Sequence, residues 1–501
     1  MQLVRSCVPG RLAARLLCVL ILCAASVPAA AAEYLDALRS LSQRANVTAL
    51  VVRLDNMTPI AQINPDQRLT PASVSKLFAA SAALKQFGPA HRFTTKLTTD
   101  GKVRNGTLSG DLTLVGGGDP SLDNARLWRL LNRLRGAGVN RVTGDLIVND
   151  SLFGTVPCLT KDRCDAKHSA WHAYSAPLSA AGVNFGTMHA SVYAGELADD
   201  PARVVLHPRA LPGYRLDNRV TTGLRNTRPH MRAWRTFEDG TSTLHLRGSL
   251  PAGSGPYEVS RAVTDPAAET ARVFSALLAD AGIRLDGAVR TRDTAGSAEK
   301  RTIAEIDSDT LAEQLIPMMA YSNNYMADTL TLDLAADSHY NRPLTLPLAS
   351  QSLEALADQA IRETYPAYAD TPGPGPVFDS GSGLAVSNKL SARDLVALLG
   401  YMYRQDQLFS AFYGSLPTPL SAPSRTLKQG NFDWLTRLVA KTGTLSEPVT
   451  VRALAGYFRL ADGGFGAFGF IINGTSSNPA LTYRQTVTAY QTDMEAILAD
   501  Y

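Results

Sequence analysis

Three short polar clusters, widely separated in the chain, have the residue types and spacing needed for acyl transfer: Ser73-Val74-Ser75-Lys76, Ser322-Asn323-Asn324 and Lys441-Thr442-Gly443-Thr444. Residues three apart on a helix share a face, so Lys76 can aim its amine at the Ser73 hydroxyl. A serine hydroxyl is a poor nucleophile until a base takes its proton, and a lysine serves only if its pKa is lowered. Partial burial and a second cation such as Lys441 would lower it. A helix entry at Ser73 would add backbone N–H groups and partial positive charge near a reacting carbonyl. Ser322 suits a proton relay between Lys76 and a leaving amine, and Asn324 can hold Lys76 and a substrate amide. Lys441 and Thr442 offer donors to a terminal carboxylate, while Gly443 leaves room for an extended peptide along a strand edge. The backbone N–H groups of Ser73 and Thr444 would form an oxyanion hole, worth about 3 kcal/mol per donor.

Each cluster alone says little, because a serine at a helix entry and a surface lysine recur by chance. What matters is whether the surrounding elements position them. Tyr34 to Gln43 has the spacing of a short amphipathic helix, Ala49 to Leu54 reads as a strand, and Pro59 to Ile63 can return beside it. After Pro71, the run Ser75 to Phe87 places Leu77, Phe78, Ala82 and Leu84 on one helical face, so Ser73 falls at a helix entry. Thr107 to Val115 and Gly144 to Val148 are strand-like. Gly116-Gly117-Gly118-Asp119-Pro120 reads as a turn, since no Lys-Ser/Thr follows to bind phosphate. Tyr193 to His245 is a series of short β-like segments, and Asp265 to Ala281 is helical. Thr310 to Met319, Met326 to Ala336 and Ser391 to Tyr403 are also helical. Leu454 to Leu460 and Phe465 to Ile472 form a hairpin around Ala461 to Gly464, and Pro479 to Tyr501 reads as one long helix. The fold class is therefore α+β, with one antiparallel sheet drawn from both ends of the chain and interrupted by a large β-rich insertion.

With 501 residues, 45% hydrophobic and 19% charged, the chain is ordinary globular protein long enough for two or three domains. Its first 32 residues differ in kind. Arg5, Arg11 and Arg15 precede an apolar run from Leu16 to Val27, and Ala30-Ala31-Ala32 follows, which is the order of a secretory signal peptide. The run is short for a spanning helix, so the expectation is an exported protein, in the periplasm or on the envelope exterior, with at most peripheral membrane association. Taking the three leader arginines from a formal charge of +4 leaves about +1, which gives no electrostatic case for nucleic acid. Of the cysteines only Cys158 and Cys164 lie beyond the leader; they could close a small disulfide loop or stand as two thiols. His168 and His172 lack an H-E-x-x-H context and read as surface histidines, not a metal pair.

Taken in order, S-x-x-K, S-x-N and K-T-G match the motif set of serine β-lactamases and penicillin-binding proteins. The chain most resembles the class C low-molecular-mass penicillin-binding proteins, which are D-alanyl-D-alanine carboxypeptidases and endopeptidases. The gap of 249 positions between Ser73 and Ser322 fits the insertion of that family. Further marks of the resemblance are Gly116-Gly-Gly-Asp-Pro120, Gly144-Asp-Leu-Ile-Val-Asn-Asp-Ser151, Tyr174-Ser-Ala-Pro-Leu178 and Asp379-Ser-Gly-Ser-Gly-Leu384. The resemblance implies a catalytic domain from residues 33–97 and 297–501, an inserted domain from 98–190 and 262–296, and a nested subdomain at 191–261. It implies peptidoglycan stem peptides as substrates, an acyl-enzyme on Ser73, β-lactams as covalent inhibitors, and neither a metal nor an organic cofactor. Ser73, Lys76, Ser322 and Asn324 would be catalytic, and Lys441, Thr442, Gly443 and Thr444 would bind substrate.

Three departures stand out. Asn149 occupies a position where the family often has an acidic residue for the free amino end of the stem peptide. Ser380 varies the Asp-Gly-Ser-Gly pattern, and the Leu445 to Leu454 connection, with Glu447 and Pro448, is longer than usual. Two other readings compete: a β-lactamase or esterase on the same scaffold, which needs a carboxylate-activated water that the sequence does not locate, and a non-catalytic wall-binding protein.

Overall fold

Apolar, β-branched runs from opposite ends of the chain meet in one sheet. In the computed structural model, which describes residues 34–207, 211–294, 301–336, 341–368 and 374–501, strand β1 (Asn46–Arg53) lies beside β2 (Pro59–Ile63). Its other neighbour is a C-terminal strand, so β3 (Leu438–Leu445), β4 (Val451–Arg459) and β5 (Phe465–Asn473) complete the order β3-β4-β5-β1-β2. Every neighbouring pair is antiparallel. Side chains alternate between the faces of a strand, and β1 uses both. Val47, Ala49 and Val51 enter one core, while Leu50 and Val52 enter the other.

The first core lies against helix α1 (Asp36–Leu41) and the C-terminal helix; the second lies against α2 (Lys76–Phe87). Here α1 and the C-terminal helix are tied directly. Asp493 on the C-terminal helix accepts the Ala37 and Leu38 N–H groups at 3.1 and 2.8 Å. That helix begins at Tyr483, not at Pro479 as the sequence suggests. The Pro479 carbonyl is taken by Thr450 N–H, and Thr482 with Gln485 forms a capping box, so the intervening residues serve the β3–β4 side before the helix can start.

The insertion carries its own sheet, ordered Val289–Arg292, Leu146–Asn149, Leu112–Val115, Thr94–Thr99, Arg301–Asp307. Helices Asn124–Gly136 and Pro266–Asp280 pack against it. The expected single strand from Thr107 to Val115 is two strands in two sheets, parted at Gly110, whose φ of 139° only glycine adopts readily. Thr187–Tyr193 and Tyr257–Ala262 pair antiparallel, Val192 facing Tyr257. Between them Tyr214–Gly223, His230–Glu238 and Thr241–Pro251 build a sheet that also reaches Ser169–Ala170. Cys158 and Cys164 form a disulfide, and the short helix α3 (Lys161–Asp165) sits at that loop. The proposed leader lies outside the described residues. Among the described residues no helix is long and apolar enough to cross a membrane.

Candidate active site

Ser73 sits in a tight turn of 3-10 helix, Ala72–Ser75, that runs directly into α2. Ala72 has φ +51°, a left-handed conformation that costs an L-residue energy and persists only where its surroundings hold it. Two glycines show what does so. A Cβ on Gly383 would stand 1.9 Å from the Ala72 carbonyl oxygen, and one on Gly443 would stand 2.8 Å from the Pro71 carbonyl oxygen and 3.2 Å from the Ser73 nitrogen. The nucleophile turn is thus clamped between β3 and the 380–387 loop. The space that Gly443 leaves open is filled by the protein's own backbone, which corrects the sequence argument that it makes room for an extended peptide.

Lys76, one turn further on, is completely buried. Its Nζ lies 3.0 Å from Ser73 Oγ, 2.7 Å from Asn324 Oδ1 and 2.7 Å from the Ser382 carbonyl oxygen. The last two atoms can only accept. A neutral amine would give them its two N–H groups and turn its lone pair to the Ser73 hydroxyl. Burial, and after it the positive charge of Lys441, push the Lys76 pKa well below the ordinary lysine value; Asp328 pulls the other way and Arg163 adds to the lowering.

Asn324 opens helix α4 (Asn324–Ala336), and its Nδ2 donates to the Tyr174 carbonyl at 3.4 Å. Asn323 accepts the Met326 N–H at 3.1 Å and so caps that helix, while Ser322 sits just before it at φ +55°. From β3 comes Lys441, also buried, donating to Ser322 Oγ at 2.9 Å and to the Thr442 carbonyl at 2.8 Å. Burial lowers its pKa to about 7. Thr442 is half-buried and Thr444 exposed, on the face of β3 opposite Lys441 and Gly443. All three motifs therefore converge: Ser73, Lys76 and Asn324 in one hydrogen-bonded set, Ser322 and Lys441 in a second, with Lys441 close enough to repel a proton on Lys76.

Sequence reasoning missed three contributors. Ser382 supplies an acceptor to Lys76 from within the Asp379–Leu384 motif. Asp328 lies four residues after Asn324 and hence on the same helical face, a signal that could have been read. Arg163 reaches Asp328 from the disulfide loop, and nothing in its local sequence announces that contact. Asn149 turns its Oδ1 to the Ser151 N–H at 3.0 Å. The neighbouring Asp150 accepts from Ser179 Oγ, Ala180 N and Ala181 N, and burial pushes its carboxyl up to about 7. His168 and His172 are both exposed, and His172 stacks on Tyr174.

Comparison with known proteins gives this geometry a setting. A family model described as the D-Ala-D-Ala carboxypeptidase 3 (S13) family matches residues 29–494. A D-alanyl-D-alanine carboxypeptidase from Actinomadura sp. (strain R39) is 31% identical over 439 residues, covering 84% of this chain and 76% of that protein. D-alanyl-D-alanine carboxypeptidase DacB of Haemophilus influenzae is 26% identical over 454 residues, 88% of each. In three dimensions the chain is similar to penicillin binding protein 4 (dacB) from Haemophilus influenzae, with a TM-score of 0.71 at 23% identity over 92% of this chain and 98% of that one. The same protein complexed with a β-lactam gives 0.69 at 22% identity, over 93% and 98%. The α+β fold expected from the resemblance, an antiparallel sheet between helices with a β-rich insertion, is the observed one. Since the family match runs through the catalytic sheet, the insertion and all three motifs, the chain belongs to the D-Ala-D-Ala carboxypeptidase 3 (S13) family.

Proposed function

We propose that this serine D-Ala-D-Ala carboxypeptidase acts on peptidoglycan stem peptides through an acyl-enzyme on Ser73. Neutral Lys76 takes the Ser73 proton as Oγ adds to the penultimate D-alanine carbonyl. The oxyanion is held by the Ser73 and Thr444 N–H groups. Support for the second donor comes from β3, where the Ala440 N–H points away from β4 to the Pro417 carbonyl at 3.1 Å. Residues 442 and 444 repeat that sense along the strand, so their N–H groups face the same open edge. Collapse of the intermediate sends the proton through Ser322 to the leaving D-alanine nitrogen, with Lys441 and Thr442 holding the terminal carboxylate. Water then cleaves the ester and restores Ser73. The observation that carries this reading is the pairing of Lys76 Nζ with Ser73 Oγ and two obligate acceptors.

The same steps applied to a crosslink, where the leaving amine belongs to a neighbouring stem, give an endopeptidase. A β-lactam would acylate the same serine, in keeping with the β-lactam complex of the Haemophilus protein. Residues 1–32 act as a signal peptide and deliver the enzyme to the periplasm or envelope exterior. The sheets support the three-part division but not its expected breaks at 97/98 and 296/297: Thr94–Thr99 pairs with both Leu112–Val115 and Arg301–Asp307, so we place the start of the inserted part before Thr94 and its end after Asp307. To test the assignment, Ser73→Ala and Ser75→Ala are exposed to a fluorescent penicillin and to purified wall fragments. Ser73→Ala should lose covalent labelling and D-alanine release, and Ser75→Ala should keep most of both. Labelling of the Ser73 variant at the parent rate would sink the proposal.

A further inference from the structure

The buried ion pair between Arg163 and Asp328 lies one hydrogen bond behind the Lys76 network. Arg163 Nη2 is 2.9 Å from Asp328 Oδ2, and both side chains are excluded from solvent, at 2% and 0% exposure. Asp328 Oδ1 accepts the Ser382 N–H at 2.8 Å, and the carbonyl of that same Ser382 accepts from Lys76 at 2.7 Å. The other end of the loop reaches the site as well. Asp162, beside Arg163 in α3, accepts the Tyr174 hydroxyl at 2.9 Å, and the Tyr174 carbonyl accepts from Asn324. Both arms end on α4, at Asn324 and Asp328, one turn apart on one face. Arg163 Nε has no hydrogen-bond partner among the described residues, so the Asp328 contact carries the pairing.

A charge enters such a dry position only if it is matched, and removal of one partner leaves the other uncompensated. Asp328 has two cations within reach, Arg163 and Lys76. Resting on the reading of Lys76 as the base for Ser73, we propose that Arg163 is a positioning residue: the loop closed by Cys158 and Cys164 holds its guanidinium against Asp328, so that this carboxylate is matched by arginine and not by Lys76. Among the described residues the charged groups that bear on Lys76 are Lys441 from β3, Asp328 from α4 and Arg163 from α3, and two of the three lower its proton affinity. Without Arg163 the balance shifts to Asp328, which favours the ammonium and idles the base.

The test follows the rate of acylation by a fluorescent penicillin against pH in the full chain and in Arg163→Met, Arg163→Lys, Asp328→Asn and the Arg163→Met/Asp328→Asn double variant. In the parent the rate rises with pH as Lys76 loses its proton and falls again as Lys441 loses the charge that holds the penicillin carboxylate, so the rising limb is the one read. Arg163→Met should move that rise to higher pH and cut the rate at neutral pH by about tenfold. Arg163→Lys should restore most of it, and Asp328→Asn should move the rise to lower pH. A general loosening of the site would not shift the two single variants in opposite directions. Should Arg163→Met fail to fold, the double variant read against Asp328→Asn serves instead, and its rise should lie at the higher pH. Shifts in one direction, or none, in variants with unchanged melting overturn the inference alone. A pH rise that survives in Lys76→Ala overturns the base assignment and this inference with it.

Discussion

Lys441 is asked to do two things that pull its proton in opposite directions. It must be an ammonium to hold a peptide carboxylate, yet burial lowers its pKa to about 7. Below that value the free site carries the charge, and above it the charge is lost. Preference for peptides ending in a free carboxylate over amidated ones should therefore be largest at pH 6 and fall by about tenfold by pH 9, as measured by the ratio of kcat/KM values. Lys441→Ala should show little preference at either pH; a ratio independent of pH in the parent would remove the role. Residue identity was the most legible level, because Ser73, Lys76, Ser322, Asn324 and Lys441 announce themselves once their three motifs are taken together in order. Asp328, Ser382 and Arg163 do not, since they act on Lys76 through contacts that only tertiary packing creates.

Among elements, β3 is the one whose placement decides catalysis. Gly443 rests against Pro71 and Ser73 so closely that a methyl group must displace the strand or the turn by a few tenths of an ångström. Gly443→Ala should slow penicillin acylation by about 100-fold, because small misplacements near a reacting centre carry large rate penalties. The melting temperature should hardly move. An unaltered labelling rate would show that the clamp is not what orients Ser73. Elements with continuous apolar runs or a clear helical face were readable in advance: β1, β2, α2 and the β4–β5 hairpin form where those runs and the Asp-Gly-Gly turn put them, although β1 and β4 each start three residues earlier than the sequence suggests. The 19-residue helix Leu346–Thr364 was not, because Pro343 and Pro347 look like breakers. Pro347 falls in the first turn, where its missing N–H costs nothing, and Thr345 caps the entry by accepting the Leu348 N–H. The Thr107–Val115 split was equally hidden, as a single glycine sends the two halves to different sheets.

For the molecule as a whole, the joint between the inserted sheet and α4 runs through Asp150. Its Oδ1 gathers Ser179 Oγ, Ala180 N and Ala181 N, and the Ser179 carbonyl accepts the Tyr325 hydroxyl from α4 at 2.9 Å. Burial raises the carboxyl from 3.8 to about 7, so the folded chain binds this proton more tightly than the unfolded one. The stability it contributes is then full below pH 3.8 and is lost as pH climbs towards about 7. Asp150→Asn keeps an Oδ1 for the three donors and removes the proton. Denaturation at pH 5 and pH 8 should show a smaller pH dependence and a gain at pH 8 on the order of 2 kcal/mol, with some slope left from Asp119, whose carboxyl burial raises to about 6. Equal slopes in parent and variant would place the pH sensitivity elsewhere. The existence of the insertion was legible from the distance between Ser73 and Ser322, but the way it grips α4 was not, for Arg163 and Asp328 lie 165 positions apart. The sheet order β3-β4-β5-β1-β2 has one further consequence, in time. A nascent chain makes β1 and the Ser73 turn first, and the three strands and the lysine that complete them last, so β1 must wait with its long edge uncovered until almost the entire polypeptide has emerged. The enzyme is therefore mute throughout its own synthesis, with a strand edge open to pairing on the way.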